Sequence, residues 1–384
     1  MRFFNCRLLG VSALLFIGMA GEPFAQAPEA PPARPAKRPV WPVHREQTAD
    51  PFGQRVEQLD KSLEIMRDFL QILKQETQVN KGRPTLAQRK DQEGFRGIYL
   101  MNRDGADVEF LTAAPGMLTS ADPQFSNDGK MIAINGLPSI DAMVKSKIFV
   151  YAVEGPFKGS TRDMGHGNTP AWSPDDKQLA YMINPGNPIG AAGGTWIMDV
   201  DGGNRRWLAM AWFPRWSPDG KSLVCHGTDQ GDNGRMTLIV VDIATGKSRR
   251  LLTAPGWQLQ LYGGNWSPDG KRVVFVGRHE GKDRLATIDA DGSDESIRIL
   301  YTAAEGANLF GPPAWSPDGK QIVFSMQEET ANPPRLWWNS HLYSITADFA
   351  AGEPKLLEAN KVGHINRAMA FSPDSKKIVF SSER

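Results

Sequence analysis

The feature that most constrains the fold is a ten-residue motif that recurs six times. A full copy joins tryptophan, Ser-Pro-Asp-Gly-Lys and a short apolar run, as in Trp315–Phe324. Successive motif serines lie between 44 residues (Ser173 to Ser217) and 56 residues (Ser316 to Ser372) apart. This spacing is typical of one propeller blade of four short strands, which takes roughly 40–50 residues. The six motif serines are Ser126, Ser173, Ser217, Ser267, Ser316 and Ser372.

Each copy of the motif predicts a strand, a tight turn and a second strand. The aromatic residue ends an inner strand and can wedge between neighbouring blades. In the turn, proline suits the second position, aspartate can bond back to the backbone, and glycine accepts positive φ. The strand that follows is apolar and rich in β-branched residues, as a buried strand should be. Divergent copies keep turn-forming residues, with Asn127 in place of proline and Asp176 and Ser375 in place of glycine.

A second half-repeat of strand, glycine-containing turn and strand lies between the motifs. The repeat region begins with this second half and ends with a first half at 371–382. The N-terminal strands can therefore complete the blade that the C-terminal strands begin, which removes exposed sheet edges. We predict an all-β fold over 94–384: a six-bladed β-propeller closed by pairing of N-terminal and C-terminal strands. The second half-repeats begin near Ile98, Ile148, Thr195, Leu238, Leu285 and Leu342.

These repeats resemble those of TolB-type propellers, a WD-repeat-like family with x-W-S-P-D-G-K motifs, over about residues 94–384. The resemblance implies the fold more than the function, because related blades occur in periplasmic scaffolds, prolyl oligopeptidase-like enzymes and some polysaccharide lyases. The sequence departs from the oligopeptidase-like enzymes in having no G-x-S-x-G elbow. It departs from TolB in having only a helix and a tether where that family carries a larger N-terminal α/β domain.

Residues 1–27 are predicted to be a secretory signal peptide. Arg2 and Arg7 give a basic start, and Leu8 to Ala20 is an apolar run. That run is shorter than the roughly 20 residues of a membrane span. Ala25-Gln26-Ala27 fits a cleavage site. An uncleaved anchor is the alternative, and the predicted location is periplasmic or secreted with no membrane span after signal cleavage.

Two further segments precede the predicted propeller. Residues 28–53 are rich in proline and alanine, which predicts a disordered linker. Residues 54–93 are predicted to be an amphipathic helical segment, with apolar residues every three or four positions over 54–78. Its apolar face is broader than a coiled-coil seam, which favours docking on a larger surface. That surface is either the propeller of the same chain or a partner, and self-association through 54–78 is one alternative.

The charge balance and the cysteine count limit the kinds of partner and the disulfides that this chain can have. Lys and Arg number 44 against 43 Asp and Glu, so nothing indicates a nucleic-acid partner. Removal of the signal peptide would leave Cys225 as the only cysteine, which excludes an internal disulfide. Cys225 ends an apolar run and is predicted to be a buried strand residue. His226 beside it points to the opposite sheet face in a regular strand, which disfavours a catalytic pair.

The loops that lead into the inner strands are predicted to surround the mouth of the central channel. In a meander, the motif turns share one face and the longer loops share the other, where binding residues usually sit. Aromatic side chains with a few Asn, Arg and His residues suit a peptide or a carbohydrate. The alternative is that they only plug and cap the channel. The predicted binding residues are His166, Asn168, Trp212, Arg215, Trp257, Tyr262, Phe310, His364, Asn366 and Arg367.

No catalytic residue, metal ligand or cofactor is assigned. Five of the six histidines fall near the loop-rich face, but they show no short ligand spacing and belong to different blades. The Asp-x-Asp-Gly segments at 199–202 and 289–292 lack the further ligands of a calcium loop and are predicted to be turns. The sequence thus favours an exported, non-catalytic scaffold that binds an envelope protein or lipoprotein through the loop-rich face. The alternatives are a periplasmic hydrolase or lyase acting on peptide or polysaccharide in the channel mouth, and a spacer or oligomer module driven by the helix.

Overall fold

The computed structural model shows a protein built almost wholly from β-strands. Within the described residues there are 24 strands and two short 3-10 helices, Met143–Lys145 and Asp294–Ser296. No helix in this part of the chain is long and apolar enough to cross a membrane. The predicted signal peptide, linker and helical segment lie outside the described residues and stay predictions. The described residues are 95–139, 142–228, 236–328, 340–348, 352–357 and 365–383.

The strands form six antiparallel meanders, which we call blades. Strands β1 (Gly97–Asn102) and β2 (Glu109–Thr112) come first in the chain and belong to the last blade. Short connections make each strand run antiparallel to the one before it. Blade 1 contains β3 (Thr119–Phe125), β4 (Met131–Leu137), β5 (Lys147–Ala152) and β6 (Thr161–His166); blade 2 contains β7 (Asn168–Trp172), β8 (Gln178–Ile183), β9 (Gly194–Asp199) and β10 (Arg206–Ala209). Blade 3 contains β11 (Ala211–Trp216), β12 (Ser222–Thr228), β13 (Met236–Asp242) and β14 (Ser248–Arg250).

The remaining blades repeat this order, and the last one draws on both ends of the described chain. Strand β1 pairs antiparallel with the final strand of the chain, from Gly97 opposite Ser382 to Asn102 opposite Lys377. Blade 4 contains β15 (Gln258–Trp266), β16 (Arg272–His279), β17 (Lys282–Asp289) and β18 (Arg298–Thr302); blade 5 contains β19 (Ala307–Trp315), β20 (Gln321–Glu328), β21 (Ser340–Thr346) and β22 (Lys355–Leu356). Blade 6 contains β23 (Ile365–Phe371), β24 (Lys377–Glu383), β1 and β2.

The blades are arranged in a ring. Their first strands contact one another in the closed order β3, β7, β11, β15, β19, β23 and back to β3. A single parallel bridge between Ser340 and Ile365 also joins blade 5 to blade 6. The prediction of a six-bladed β-propeller is confirmed.

The hydrophobic core is divided into six clusters, one between each pair of neighbouring blades. Second strands are apolar on both faces, so that Leu179–Ile183 of β8 is buried throughout. Between blades 6 and 1, Ile98 and Val379 pack with Ile132. Burying one such side chain stabilises the fold by about 1.5–3 kcal/mol. Because each cluster needs both neighbours, a blade acquires its core only within the ring.

Each motif turn is closed by the same three hydrogen bonds, illustrated by blade 3. Ser217 Oγ donates to Asp219 Oδ1 at 2.6 Å, and the five other turns repeat this contact at 2.6–2.7 Å. Asp219 Oδ1 accepts the backbone N–H of Lys221, and Ser217 Oγ accepts that of Ser222. The prediction that the aspartate bonds back to the backbone is confirmed.

The motif tryptophans of three blades link neighbouring inner strands. In each case the indole N–H donates to a backbone carbonyl of the preceding blade, one residue before that blade's own motif aromatic residue. The predicted position of the aromatic residue between blades is therefore confirmed for these copies. The bonds are Trp172 Nε1 to Gln124 O at 3.0 Å, Trp216 Nε1 to Ala171 O at 3.1 Å, and Trp266 Nε1 to Arg215 O at 3.1 Å.

Two departures from the turn motif compensate each other across one blade interface. Asn127 Nδ2 of blade 1 donates to Asp176 Oδ1 of blade 2 at 2.8 Å. The backbone N–H groups of Asn127 and Asp128 donate to the same carboxylate at 2.7 and 2.9 Å. At three interfaces that keep both motif residues, the glycine faces the proline ring of the preceding blade, as Gly220 faces Pro174. A polar contact thus replaces the proline–glycine contact at this interface.

The turn bonds also lower the pKa of motif aspartates below their ordinary value of 3.8. Hydrogen bonding by the motif serine is the main cause at four positions. At Asp318 the main cause is the guanidinium of Arg103, whose Nη1 lies 2.5 Å from Asp318 Oδ2. These carboxylates therefore stabilise the folded state when ionised. The four positions are Asp175, Asp219, Asp269 and Asp374.

We predict that Asn127 and Asp176 are energetically coupled. Asp176→Gly alone should lower the free energy of unfolding by about 1–2 kcal/mol, because three donors lose their acceptor. Asn127→Pro alone should also destabilise, because the carboxylate then faces an apolar ring. The double variant recreates the proline–glycine contact and should lose about 1 kcal/mol less than the sum. Urea unfolding of the four proteins measures the coupling, and strictly additive losses would contradict it.

We also predict a characteristic loss of stability in acid. A carboxylate with a lowered pKa contributes its full stability above 3.8 and loses it as the pH falls through the lower folded-state pKa. The melting temperature should therefore fall below about pH 4. Asp219→Asn should lower the melting temperature at pH 7 and make the decline in acid shallower. A variant with an unchanged acid profile would count against this account.

Candidate functional site

The propeller has two faces with different connections. The motif turns, and the turns between third and fourth strands, lie on one face, which we call the turn face. The links between blades, and those between second and third strands, lie on the opposite face, which we call the loop face. Each inner strand therefore enters the ring at the loop face and leaves it at the turn face. The first residues of the inner strands stand at the channel mouth.

Each inner strand contains one residue in the left-handed region of backbone conformation. At the same place the pairing with the second strand is interrupted by a bulge. This conformation is strained for residues other than glycine, and most for a β-branched residue such as Thr169. A bulge bends the strand and re-aims its side chains. The six residues are Asp122 (φ 49°), Thr169 (47°), Phe213 (56°), Gly263 (66°), Gly311 (87°) and Ala368 (42°).

Asp122 of blade 1 and Arg215 of blade 3 interact electrostatically within the channel. Arg215 is only 6% exposed, and its Nη1 donates to Pro214 O at 2.9 Å. Burial lowers the pKa of Arg215, and the Asp122 charge opposes this change. Burial raises the pKa of Asp122, opposed by the charges of Arg215 and Arg96. Blades 1 and 3 are not adjacent, so the two side chains approach each other past the inner strand of blade 2.

Two asparagines extend this polar group. Asn135 of β4 lies opposite Ala121, and its amide is oriented with the nitrogen toward β3. It then donates to Asp122 Oδ2 at 2.8 Å and to Ala121 O at 3.0 Å. The side-chain amide of Asn168 lies 2.9 Å from that of Asn135, and Asn168 Oδ1 accepts the Thr169 N–H at 2.9 Å. We call these residues the channel cluster: Asp122, Asn135, Asn168 and Arg215.

The channel cluster is suited to recognising a polar group rather than to performing covalent chemistry. Arginine stays protonated in proteins, so Arg215 keeps its charge despite burial. Its Nε is buried and has no hydrogen-bond partner among the described residues. A buried donor without a partner is costly, so a ligand oxygen that reached it would be bound favourably. Across the described residues, no group of three or more His, Cys, Asp or Glu side chains could hold a metal ion.

The structure separates the predicted polar site residues. Asn168 and Arg215 meet in the channel cluster. His166 ends β6 and is half-buried, with no hydrogen-bond partner for Nδ1 among the described residues. Asn366 is fully buried in β23, where its Oδ1 accepts a serine hydroxyl of β24 at 2.7 Å. Arg367 follows it and is half-buried.

The described aromatic members of the predicted set are buried. Trp212 and Trp257 are 8% and 6% exposed. The Trp257 ring stacks on His279 at 4.9 Å between ring centroids and meets Phe275 edge-on at 5.2 Å. These two tryptophans pack within the propeller. The side chains of Tyr262 and Phe310, and the whole of His364, lie outside the described residues.

Sequence reasoning missed Asp122, Asn135 and Arg96. One signal could have found Asp122: it lies four residues before Ser126, the position at which most inner strands adopt the left-handed conformation. When the six copies are aligned on their serines, Asp122 is the only charged residue at that position. Asn135 and Arg96 reach the channel through long-range packing, and no repeat position marks them.

Cys225 lies in β12 and is fully buried, which confirms the sequence prediction. Burial raises the pKa of its thiol to about 12, despite a hydrogen bond from Thr195 and the charge of Arg215. Since the thiolate is the reactive form, this thiol is inert in the folded protein.

The reactivity of this thiol is a direct test of the packing between blades 2 and 3, where Cys225 is part of the core cluster. In a Cys6→Ser background, Cys225 should react with a disulfide reagent at pH 8 at least about a hundredfold more slowly in the folded protein than in denaturant. Comparable rates in both states would show that blade 3 opens to solvent and would contradict the buried assignment.

Comparison with known proteins supports the fold. The family model described as the TolB beta propeller domain matches residues 166–332. No curated protein matches the chain. Among solved structures, the putative TolB from Agrobacterium tumefaciens is 20% identical, with a TM-score of 0.57, over 75% of this chain and 97% of that one. TolB from Acinetobacter baumannii is 18% identical, with a TM-score of 0.50, over 80% and 67%.

At such identities the likeness to these structures concerns the fold alone. The repeat motifs, the six blades and the family match over the central blades agree with one another. This chain therefore contains a six-bladed propeller in which residues 166–332 match the TolB beta propeller domain model.

Proposed function

We propose that this chain is an exported, non-catalytic propeller that binds a protein partner of the cell envelope through its loop face. The observation that carries the proposal is the channel cluster, in which a buried guanidinium with an unpartnered Nε interacts electrostatically with a carboxylate that Asn135 contacts. The resemblance to TolB-type propellers supports a scaffold or interaction function. The partner class is an envelope protein or lipoprotein.

The chemistry of the channel cluster fits a segment of polypeptide. Arg215 can donate to a carboxylate or a peptide carbonyl, and Asp122 can accept a peptide N–H or an ammonium group. Hydrogen bonds to charged groups are stronger than neutral ones, and more so away from water. A loop or chain end of a partner that enters at the loop face would therefore meet both donors and acceptors.

The surrounding structure supports a preformed site. The strained left-handed residues of the inner strands are held in place by the ring, so their side chains have defined directions. Asn135 donates to Asp122 on one side and lies against Asn168 on the other, so the carboxylate has a fixed neighbour. A site whose groups are already ordered loses little entropy when it binds.

The proposal is tested by capture and crosslinking of the tagged chain in the native cell envelope, with mass spectrometry to identify partners. We expect recovery of one specific envelope protein, and at least about tenfold weaker binding of that purified protein by Arg215→Ala. Asp122→Asn should also weaken binding. Arg278→Ala serves as the matched control, since Arg278 is exposed on β16 and, among the described residues, its side chain donates only to Gly281 O.

Three results would contradict the proposed function. One is binding of the captured partner by Arg215→Ala as tightly as by the unchanged chain, with circular dichroism showing that both are folded. A second is equal weakening by Arg278→Ala. A third is a chain that stays in the cytoplasm with residues 1–27 intact, as measured by fractionation and N-terminal mass.

A further inference from the structure

Blade 2 exposes a group of apolar side chains at its outer edge. Trp207 of β10 is 36% exposed, Met210 is 37% exposed and Ile189 is 54% exposed. Trp207 Nε1 donates to Gly193 O at 3.1 Å, so the indole is fixed against the loop that carries Ile189. Gly194 lies beside Trp207 and Met210, since a Cβ there would be 3.1 Å from Trp207 Nε1 and 3.3 Å from Met210 Cα. We call Ile189, Trp207 and Met210 the edge patch.

The other blades provide a comparison within the same molecule. Six large apolar side chains are exposed among the described residues, and three of them form the edge patch. The outer strands of blades 4 and 5 expose one each, Ile299 and Leu356. Single exposed apolar side chains are ordinary on protein surfaces, whereas a contiguous group marks an interaction site. Blade 2 therefore differs from blades built on the same repeat.

The edge patch is flanked by positive charge. Arg205 and Arg206 immediately precede Trp207, and both are exposed. Arg205 Nε donates to Gly202 O at 3.1 Å and its Nη2 donates to Met164 O of blade 1, whereas Arg206 Nη2 donates to Ile243 O of blade 3 at 3.2 Å. These acceptors are neutral carbonyls, and neither guanidinium forms an ion pair within the described ranges. Both charges are thus held in position without compensation.

The carboxylates nearest in sequence are occupied within their own turn. Asp199 accepts from Asn204 Nδ2 at 2.5 Å and from Gln178 Nε2 at 3.0 Å. Asp201 accepts the backbone N–H of Gly203 at 2.7 Å. They stabilise the turn that leads into β10, so an acidic partner could still pair with the two arginines.

The backbone next to the edge patch is also available for binding. Strand β10 is the last strand of blade 2, and among the described residues it pairs only with β9. The other side of an outer strand carries backbone N–H and C=O groups that can pair with an added strand. Peptides often bind by such strand addition, with alternate side chains in neighbouring pockets.

From these observations we propose that the edge patch binds an extended segment of a protein partner that carries apolar side chains flanked by Asp or Glu. The apolar side chains cover Trp207 and Met210, and the carboxylates pair with Arg205 and Arg206. Trp and Arg are the residue types that contribute most at interfaces, and both are already ordered here. An anionic membrane would match the charge, but the fixed indole and the open strand edge favour a protein segment. This surface is separate from the channel cluster.

The probe is a displayed library of random dodecapeptides, selected on the purified full chain with counter-selection on the Trp207→Ala/Met210→Ala variant. Synthetic copies of the enriched peptides are then titrated by fluorescence anisotropy. We expect enrichment of apolar and acidic residues, and at least about tenfold weaker binding to Trp207→Ala. Arg206→Glu should weaken binding about fivefold and reduce its salt dependence. Trp207→Phe should bind nearly as the unchanged chain does, because it keeps an aromatic side chain. This variant separates the loss of the aromatic side chain from misfolding.

Two matched controls separate this surface from others. Ile299→Ala removes an apolar side chain that is 46% exposed on the outer strand of blade 4, and it should leave binding unchanged. Arg215→Ala should also leave it unchanged, whatever its effect on the proposed channel partner. The inference is overturned if no acidic, apolar peptides are enriched, or if Trp207→Ala binds them as tightly as the unchanged chain. Binding to phosphatidylglycerol vesicles that depends on Trp207, without peptide binding, would overturn it in favour of a membrane surface.

Discussion

The rest of the structure depends on the mutual covering of apolar sheet faces by neighbouring blades. A blade such as blade 2 is apolar on both faces of its central strands, so it needs a sheet on either side. In a row of blades the first and last would each leave one face in water. The contacts of β23 with β3, and the cluster that joins Ile98 and Val379 to Ile132, bury that last face. Burial of the apolar blade faces is therefore enough to favour a closed ring, independently of the turns and their hydrogen bonds.

The polar contacts of the turn face then determine which blade lies beside which. At three of the six interfaces a proline ring contacts a glycine, and this contact does not distinguish one such blade from another. Asn127 and Asp176 form a different pair, and each is matched only by the other. Blade 1 beside blade 3 would place Asn127 against Gly220 and leave its amide without the carboxylate. The order of blades around the ring is thus encoded in part by departures from the repeat.

The sequence reveals the fold well because the motif acts locally. Ser217 and Asp219 close their turn by hydrogen bonds to groups within five residues along the chain. The same short sequence therefore forms the same turn in every copy. The candidate site is revealed only in part, because it depends on distances between blades. Arg215 and Asn168 can be suspected from residue type and position, but their meeting with Asp122 requires the ring. Trp212 and Trp257 look like binding residues by type, yet both are buried in the folded propeller.

The left-handed residue of each inner strand has a consequence for how the channel can diversify. The position accepts aspartate, threonine, phenylalanine, alanine or glycine with nearly the same backbone conformation. The bulge and the neighbouring blades determine the backbone conformation there, and the identity of the side chain has little effect on it. Substitution at these positions can change the chemistry of the channel lining while the scaffold keeps its shape. One ring of this kind can therefore acquire new binding specificities one blade at a time, without being rebuilt.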